Sequence, residues 1–163
     1  MDPLPGVDLL IMDVDGVLTD GGLYVGPDGK TWMRFHVHDG LGLARLHRAG
    51  VHTAWITGGT AEATGTRAAS LGVTVVRQGV DEKQAAVLDV LAECGVSAER
   101  AVYMGDDLND LPVFGLVGVS VAVADAVPEV RARADRVTAA PGGRGAVREV
   151  CEAILAGLTA PPA

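Results

Sequence analysis

The sequence has little cysteine and little positive charge, and both shortages narrow the classes of protein to consider. Only two cysteines occur in 163 residues, Cys94 and Cys151, and their spacing fits no metal site. They indicate buried thiols in a reducing compartment, which predicts a cytoplasmic location. The 13 Lys and Arg residues are outnumbered by 21 Asp and Glu residues, for a net charge of −8. That charge argues against nucleic acid or an anionic membrane as a partner.

Long hydrophobic runs are also missing. No apolar run approaches the roughly 18 to 20 residues needed to cross a bilayer, and the first five residues lack the basic segment of a signal peptide. Hydrophobic residues nevertheless make up 48% of the sequence, with a mean hydropathy of +0.29, which indicates a globular protein. The length predicts one domain, residues 1–163, with a single core and a short Pro/Ala tail at about 158–163.

The sequence does contain a regular alternation of strand-like and helix-like segments. Short apolar runs rich in β-branched residues predict strands, and stretches followed by Gly50, Gly72 and Gly95 predict helices. The predicted strands are residues 7–12, 51–56, 73–76, 101–104 and 118–123, and the predicted helices are residues 41–49, 61–71, 83–94, 127–134 and about 146–156. Asp39 occupies the N-cap position of the first helix. The alternation predicts an α/β fold with a doubly wound, Rossmann-like, mostly parallel sheet.

A β-hairpin interrupts the alternation at about residues 21–37. A turn cluster, residues 26–29, separates two short apolar segments. An isolated hairpin is only marginally stable in water, and this one is rich in apolar side chains. They are Leu23, Tyr24, Val25, Trp32, Met33 and Phe35. An insert with this many apolar side chains favours burial of the hairpin in an assembly over simple exposure to water.

Acidic residues follow two of the predicted strands. Asp13 and Asp15 come where the first strand ends, and Asp106, Asp107 and Asp110 follow a later one. Because ligands of open parallel sheets bind at the carboxyl ends of the strands, both clusters should converge on one crevice. The carboxylates there would repel one another unless a cation lies among them, and oxygen ligands with a phosphate partner suit Mg²⁺. For the second cluster alone, an acidic helix N-terminus is an equally good interpretation.

Two further segments are weak signals when taken singly. Thr57-Gly58-Gly59 lies where a strand ends and a helix begins, a place where backbone N–H groups can hold a phosphate. Glycine-rich turns of this kind are common, however, without any ligand. Lys83 lies at a helix start, where a solvated lysine is the ordinary interpretation, although the helix dipole disfavours a cation there.

Together these segments resemble the four motifs of the haloacid dehalogenase superfamily of phosphohydrolases. The motifs here are Asp13-x-Asp15, Thr57-Gly58, Lys83 and Gly105-Asp106-Asp107-x-x-Asp110, in the family's order and strand-end context. Residues 121–126 and 142–149 also resemble a small capless branch, the 3-deoxy-D-manno-octulosonate 8-phosphate phosphatases. The resemblance implies a core with an inserted β-hairpin and no cap domain. It also implies Mg²⁺-dependent hydrolysis of a phosphomonoester through an aspartyl-phosphate intermediate.

The resemblance implies a catalytic or phosphate-binding role for each matching residue. Asp13 would be the nucleophile that receives the phosphoryl group. Asp15 would be the general acid for the leaving oxygen and then the base for the attacking water. Thr57, Gly58 and Lys83 would hold the phosphoryl oxygens.

The resemblance likewise implies a set of metal ligands. Asp13, the backbone carbonyl of Asp15, and Asp106 would bind Mg²⁺, with water and a phosphate oxygen completing the shell. Asp107 and Asp110 would support these ligands from behind.

The implied substrate is a phosphorylated 2-keto-3-deoxy sugar acid, first of all 3-deoxy-D-manno-octulosonate 8-phosphate. A nonulosonate 9-phosphate or another sugar phosphate is the alternative, because two positions depart from the family pattern. Gly59 stands where the octulosonate enzymes usually carry Arg, and His38 stands where Arg or Lys is usual. Arg67 and Arg144 are candidates to contact the substrate carboxylate.

The family further implies a homotetramer, in which the hairpin of a neighbouring subunit takes the place of a cap. Two alternatives of other classes are also considered. A signalling receiver domain is disfavoured because its acidic residues and its Lys come in a different order. A non-catalytic oligomerisation module, related to the tails of sialic acid cytidylyltransferases, is disfavoured because Asp13, Asp15 and Asp106 are all present.

Overall fold

A parallel sheet of six strands forms the centre of the molecule, seen in a computed structural model that describes residues 1–159. The strands are β1 Leu9–Met12, β2 Tyr24–Val25, β3 Thr31–Trp32, β4 His52–Ile56, β5 Val75–Arg77, β6 Ala101–Gly105, β7 Val119–Ala122 and β8 Arg136–Val137. The order in the sheet is β5-β4-β1-β6-β7-β8, and every pairing is parallel. The predicted parallel sheet is confirmed, and β8 is an edge strand too short to show in the sequence pattern.

Within residues 1–159, six α-helices connect and cover these strands. They are α1 Val37–Arg48, α2 Glu62–Leu71, α3 Lys83–Cys94, α4 Leu111–Phe114, α5 Pro128–Arg133 and α6 Ala146–Thr159. Helix α1 packs on α2 and α6, whereas α4 packs on α3 and α5. The crossovers on the two sides of β1 run in opposite directions. Because connections between parallel strands are right-handed as a rule, the two groups of helices lie on opposite faces of the sheet. The doubly wound architecture is therefore confirmed.

Strand β1 lies at the centre of the sheet, and its position decides where a ligand can bind. All four of its residues are buried, as expected for a strand paired on both edges and covered on both faces. The chain leaves β1 for β4 on one side and later returns to β6 on the other. The carboxyl end of β1 is therefore the switch point of the sheet, where the flanking connections diverge and leave a crevice.

The first helix begins earlier than the sequence pattern predicted, at Val37 instead of at position 41, and His36 is its N-cap residue. The second hairpin strand ends at Trp32, well before residue 37, where the predicted hairpin ended. The prediction that Asp39 caps this helix is wrong. Its carboxylate instead accepts hydrogen bonds from the N–H of Gly145 at 3.3 Å and of Arg148 at 2.8 Å. Asp39 thus caps the start of α6, a contact that spacing along the chain cannot reveal.

The hairpin divides into an anchored base and an exposed tip. At the base, Phe35 packs against the core and its ring stacks on Trp55 at a centroid distance of 5.9 Å. At the tip, Tyr24 and Trp32 are directly opposite each other across the two strands. Trp32 is 72% exposed and Tyr24 is 61% exposed. The tip therefore presents apolar side chains to the surroundings of a single chain.

The expectations for the cysteines, for membrane-spanning helices and for the C-terminal tail have different outcomes. Both cysteines are free and lie in helices, but only Cys151 is buried and Cys94 is half-buried. Within residues 1–159 no helix is both long enough and apolar enough to cross a membrane. Helix α6 continues to Thr159, beyond the predicted end at 156. The remainder of the expected tail, residues 160–163, lies outside the described residues.

Candidate active site

Four segments of the chain bring the predicted site residues together at the carboxyl end of the sheet. They are the loops after β1, β4 and β6 and the first turn of α3. They enclose a cavity of about 250 Å³. Its lining residues are Asp13, Asp15, Thr57, Gly58, Gly59, Lys83, Asp106, Asp107 and Asn109. Of the acidic residues in the four motifs, Asp110 alone does not line this cavity, because it lies fully buried behind it.

Asp13 and Lys83 form a buried ion pair in this cavity. Lys83 Nζ lies 3.0 Å from Asp13 Oδ2 and 2.7 Å from Asp110 Oδ1. Lys83 is only 4% exposed, so the interpretation as a solvated surface lysine is wrong. Burial lowers the pKa of Lys83, but attraction to the two carboxylates outweighs this and leaves its pKa above the usual value. The lysine is therefore a permanent positive charge beside Asp13.

Asp106 carries the strongest sign that a cation belongs in the cavity. Burial, and then repulsion from Asp13 and Asp110, raise the pKa of Asp106 to about 8. Its Oδ1 is buried and has no hydrogen-bond partner among the described residues. Burial likewise raises the pKa of Asp13 to about 6, even with Lys83 beside it. A divalent cation bound between Asp13 and Asp106 would stabilise both carboxylates in their charged form. It would also give the unpaired oxygen of Asp106 a partner.

The geometry distinguishes the carboxylates that are free to bind a metal from one that is not. Oxygen atoms of Asp13, Asp106 and Asp110 all lie within 4.8 Å of one another. Asp110 nevertheless has both oxygens occupied, because Oδ1 accepts from Tyr103 at 2.6 Å and from Lys83 at 2.7 Å. Its Oδ2 accepts from the backbone N–H of Asp106 at 2.8 Å and of Asp107 at 3.2 Å. Asp13 has one donor on each oxygen, the Val14 N–H at 2.7 Å on Oδ1 and Lys83 at 3.0 Å on Oδ2, and so keeps lone pairs for a metal. Asp110 has two donors on each oxygen and holds the surroundings of Asp13 and Asp106 in place.

Asp15 lies at the mouth of the cavity and is oriented by the loop after β4. The hydroxyl of Thr57 donates to Asp15 Oδ2 at 2.8 Å, and the N–H of Gly59 donates to Thr57 Oγ1 at 2.9 Å. The side chain of Asp15 is half-buried, in contrast to Asp13. One carboxylate is thus enclosed with a lysine, while its neighbour two residues on keeps access to solvent. That difference suits one group to nucleophilic attack and the other to proton transfer.

The loop that carries Asp15 is supported by backbone packing. The Gly143 N–H donates to the carbonyl of Val17 at 2.9 Å. Gly142 lies so close to the loop after β1 that an added Cβ would be 1.7 Å from the carbonyl oxygen of Gly16. The Gly142 N–H also donates to Asp125 Oδ1 at 2.8 Å. Gly143 has a φ of +60°, and its added Cβ would be 2.4 Å from the Asp20 backbone nitrogen, so both positions need glycine.

A second, larger cavity of about 780 Å³ adjoins the first between the hairpin and α2. Asp15 and Gly59 line both cavities, so a phosphate in the smaller one would point its ester group into the larger. Arg67 lines the larger cavity and forms no ion pair within residues 1–159. Two of the four candidate substrate residues, Gly59 and Arg67, therefore lie where a sugar acid would fit.

The other two candidate substrate residues lie outside both cavities of the single chain. His38 is exposed in the first turn of α1, where its ring is 4.9 Å from that of His36. The side chain of Arg144 is 60% exposed and lies 3.6 Å from Asp20 Oδ2. Neither residue meets Asp15 or Gly59 within one chain.

Sequence reasoning missed two residues of the site. The sequence pattern places Tyr103 among the apolar residues of its strand, yet its hydroxyl donates to Asp110. Asn109 lies inside the second acidic motif and lines the smaller cavity. A polar atom on a fully buried strand next to the acidic cluster was the available signal for Tyr103, because such an atom requires a partner.

Comparison with known proteins identifies the family. Residues 57–148 match the haloacid dehalogenase-like hydrolase family. The chain is 47% identical over 149 residues to the 3-deoxy-D-manno-octulosonate 8-phosphate phosphatase of Escherichia coli (strain B / BL21-DE3), covering 91% of this chain and 79% of that one. The crystal structure of the phosphatase of that name from Yersinia pestis superposes with a TM-score of 0.91, at 45% identity over 93% of this chain and 82% of that chain.

A third relative was solved with ligands. The 3-deoxy-D-manno-octulosonate 8-phosphate phosphatase from Moraxella catarrhalis, in complex with magnesium ion, phosphate ion and the octulosonate sugar, superposes with a TM-score of 0.91. Its identity is 38%, with 94% of this chain and 88% of that chain covered. By these family, sequence and structural matches, the chain belongs to the haloacid dehalogenase-like hydrolases, in the family of the 3-deoxy-D-manno-octulosonate 8-phosphate phosphatases.

Proposed function

We propose that this protein is a Mg²⁺-dependent phosphatase that hydrolyses 3-deoxy-D-manno-octulosonate 8-phosphate. The observation that carries the proposal is the buried Asp13–Lys83 pair beside Asp106, in a cavity that opens past Asp15 into a larger one. The relatives named above act on that sugar phosphate. A closely related acid sugar phosphate, such as a nonulosonate 9-phosphate, is the alternative substrate.

Asp13 and Asp15 perform the two displacements. A carboxylate oxygen of Asp13 bonds to phosphorus as the bond from phosphorus to the sugar oxygen breaks, and Asp15 gives its proton to that leaving oxygen. Asp15 then takes a proton from water, which bonds to phosphorus as the Asp13–phosphorus link breaks. Inorganic phosphate leaves, and both carboxylates return to their starting states.

The remaining residues of the smaller cavity bind the phosphoryl group. Lys83 contributes positive charge, and Thr57 and the Gly58 N–H contribute hydrogen bonds, as phosphoryl transfer requires mainly positioning and charge compensation. Asp13, the Asp15 carbonyl and Asp106 would hold Mg²⁺, with Asp107 and Asp110 supporting them. When bound, Mg²⁺ neutralises the charge on the phosphoryl oxygens.

Arg67 is the residue we propose for recognition of the sugar carboxylate. Gly59 leaves one wall of the larger cavity without the arginine usual in the family, and Arg67 supplies a cation to the same cavity. An arginine that lacks an ion pair can bind a carboxylate through two parallel hydrogen bonds. His38 and Arg144 remain candidates for contacts that only the assembled protein would make.

We also propose that the protein is a cytoplasmic homotetramer in which the whole chain, residues 1–163, acts as one domain. The exposed aromatic pair at the hairpin tip supports association, since large apolar patches on a surface mark contact sites. Two free cysteines support a reducing compartment. A purely non-catalytic role in assembly is disfavoured by the complete set of Asp13, Asp15, Lys83 and Asp106.

A panel of phosphate esters tests the proposal. Phosphate release with Mg²⁺ is measured for the octulosonate and nonulosonate esters, for neutral sugar phosphates, for nucleotides and for an aryl phosphate. Replacing Arg67 by Ala should lower kcat/KM for the acid sugar phosphates by about one to two decades, the value of one charge-assisted contact, and leave the aryl phosphate nearly unaffected. A preference for neutral sugars or nucleotides contradicts the proposed substrate, and no release from any ester contradicts the phosphatase itself.

A further inference from the structure

The hydroxyl of Tyr103 reaches Asp110, behind the smaller cavity, from inside the sheet. Tyr103 lies on β6 with no exposed surface, and its ring meets that of Phe114 edge-on at 6.3 Å. Its hydroxyl donates to Asp110 Oδ1 at 2.6 Å. Burial, and the negative charge of Asp110, raise the pKa of Tyr103 well above its usual value, so the group remains a neutral donor. Phenylalanine would fill the same space without a polar atom to bury, so the hydroxyl needs an explanation.

The consequence of this hydrogen bond lies on Asp110. A carboxylate offers about four lone pairs, and the four donors to Asp110 use all of them. Tyr103 and Lys83 share Oδ1, whereas two backbone N–H groups occupy Oδ2. Tyr103 therefore limits how much of the Oδ1 charge is available to the lysine.

Lys83 must divide its own donors among several acceptors. An ammonium group has three donors. Lys83 Nζ lies 2.7 Å from Asp110 Oδ1 and 3.0 Å from Asp13 Oδ2, so these two oxygens take two of the donors. The third donor is left for a phosphoryl oxygen. If Asp110 attracted Lys83 more strongly, the ammonium group would move away from Asp13 and from the transferring phosphoryl group.

We propose that Tyr103 is a positioning residue for phosphoryl transfer. Its hydroxyl fills the second acceptor site of Asp110 Oδ1 and so holds the Lys83 ammonium group between Asp110 and Asp13. This inference rests on the proposed phosphatase activity but not on the identity of the sugar.

Replacing Tyr103 by Phe removes the hydroxyl and keeps the ring. We expect kcat/KM for an aryl phosphate to fall by about one to two decades, the size of one hydrogen bond to a charged group. The dissociation constant of inorganic phosphate, measured by calorimetry with Mg²⁺ present, should rise by a similar factor. In a Lys83→Ala background the same replacement should have little further effect on either quantity, because it acts through the lysine.

The matched control is Phe114→Leu, which loosens the packing around the Tyr103 ring and keeps its hydroxyl. This variant should lower the melting temperature at least as much as Tyr103→Phe, with kcat/KM near that of the wild type. The inference is overturned if Tyr103→Phe retains wild-type kcat/KM and phosphate affinity. It is also overturned if Phe114→Leu loses as much activity, or if the loss is undiminished without Lys83. Absence of turnover by the wild-type protein would count against the proposed function alone, and the phosphate dissociation constants would then decide on Tyr103.

Discussion

At the scale of single residues, the two carboxylates of the first motif differ in their surroundings more than in their chemistry. Asp13 is enclosed beside Lys83, whereas Asp15 is half-buried and hydrogen-bonded to the hydroxyl of Thr57. Because the proposed roles are nucleophile and proton donor, removal of each charge should affect different substrates differently.

Asp15→Asn should slow the hydrolysis of a sugar phosphate much more than that of an activated aryl phosphate. A sugar oxygen is a poor leaving group and needs the proton, whereas an activated phenolate departs without it. Asp13→Asn should abolish turnover of both, since no aspartyl-phosphate can form. Steady-state kinetics on the two substrates measure the difference, with Asp89→Asn on the exposed side of α3 as the control. Equal losses on both substrates for Asp15→Asn would rule out the acid role.

The raised pKa of Asp106 predicts that, without metal, the free energy of unfolding depends on pH. Its pKa is raised from 3.8 to about 8, and that of Asp13 from 3.8 to about 6. The folded protein therefore holds these protons more tightly than the unfolded chain does. The resulting stabilisation is complete below pH 3.8 and is lost as the pH rises through about 6 and then about 8.

The measurement is the melting temperature in EDTA and in excess Mg²⁺ across this range. Because Mg²⁺ competes with protons for the carboxylates, the increase produced by Mg²⁺ should be larger near pH 9 than near pH 6, a window set by the raised pKa of Asp106. Asp106→Asn should raise the metal-free melting temperature at alkaline pH and abolish most of the Mg²⁺ effect. A Mg²⁺ effect that does not change with pH would contradict this account.

At the scale of structural elements, the site depends on irregular segments that are held by long-range contacts. Asp39 in α1 caps α6, and Asp125 binds the Gly142 N–H in the segment between β8 and α6. That segment packs on the loop that carries Asp15. The position of the proposed acid is therefore set in part by residues more than a hundred positions away in the chain.

Gly142→Ala tests this support. The new Cβ would lie 1.7 Å from the carbonyl oxygen of Gly16, a backbone atom that cannot move without the Asp15 loop. We expect a loss of about 1–3 kcal/mol in the free energy of unfolding, as for other overpacked sites, together with a fall in kcat. Gly115→Ala is the matched control, because its Cβ would meet no atom within 4 Å and its φ is −81°. Wild-type kcat in Gly142→Ala would show that the contact does not position the acid.

At the scale of the whole molecule, the exposed hairpin tip is the feature that a single chain leaves unexplained. Tyr24 and Trp32 are paired across the two strands, and both are more than half exposed. The larger cavity is bordered by this same hairpin. Association through the tip would therefore also affect the wall of the proposed substrate cavity.

Trp32→Ser should weaken the proposed homotetramer and raise KM for the sugar phosphate. Light scattering coupled to gel filtration measures the assembly, and kinetics at the same protein concentration measure the effect on the site. Leu88→Ser is the control, because Leu88 is 54% exposed on α3, away from the hairpin. A wild-type protein that is monomeric and fully active at assay concentration would contradict the proposal.

Local sequence patterns alone determined most of the secondary structure and the family of this protein. Apolar runs and glycines located five of the six strands of the main sheet and five helices, because burial and chain reversal leave a local signature. The four motifs and their order carried the prediction of the fold and of the phosphatase family, and both are confirmed. The start of α1 was missed, because the chain enters that helix directly from the hairpin without a side-chain cap.

Tertiary structure decided what depends on contacts between distant segments. It moved the capping role of Asp39 to another helix, placed Tyr103 against Asp110, and divided the candidate substrate residues between the larger cavity and the outer surface. Side-chain types and spacing cannot show these relations. They arise only when a parallel sheet brings the ends of its strands to one edge, where burial favours hydrogen bonds between polar groups from distant segments.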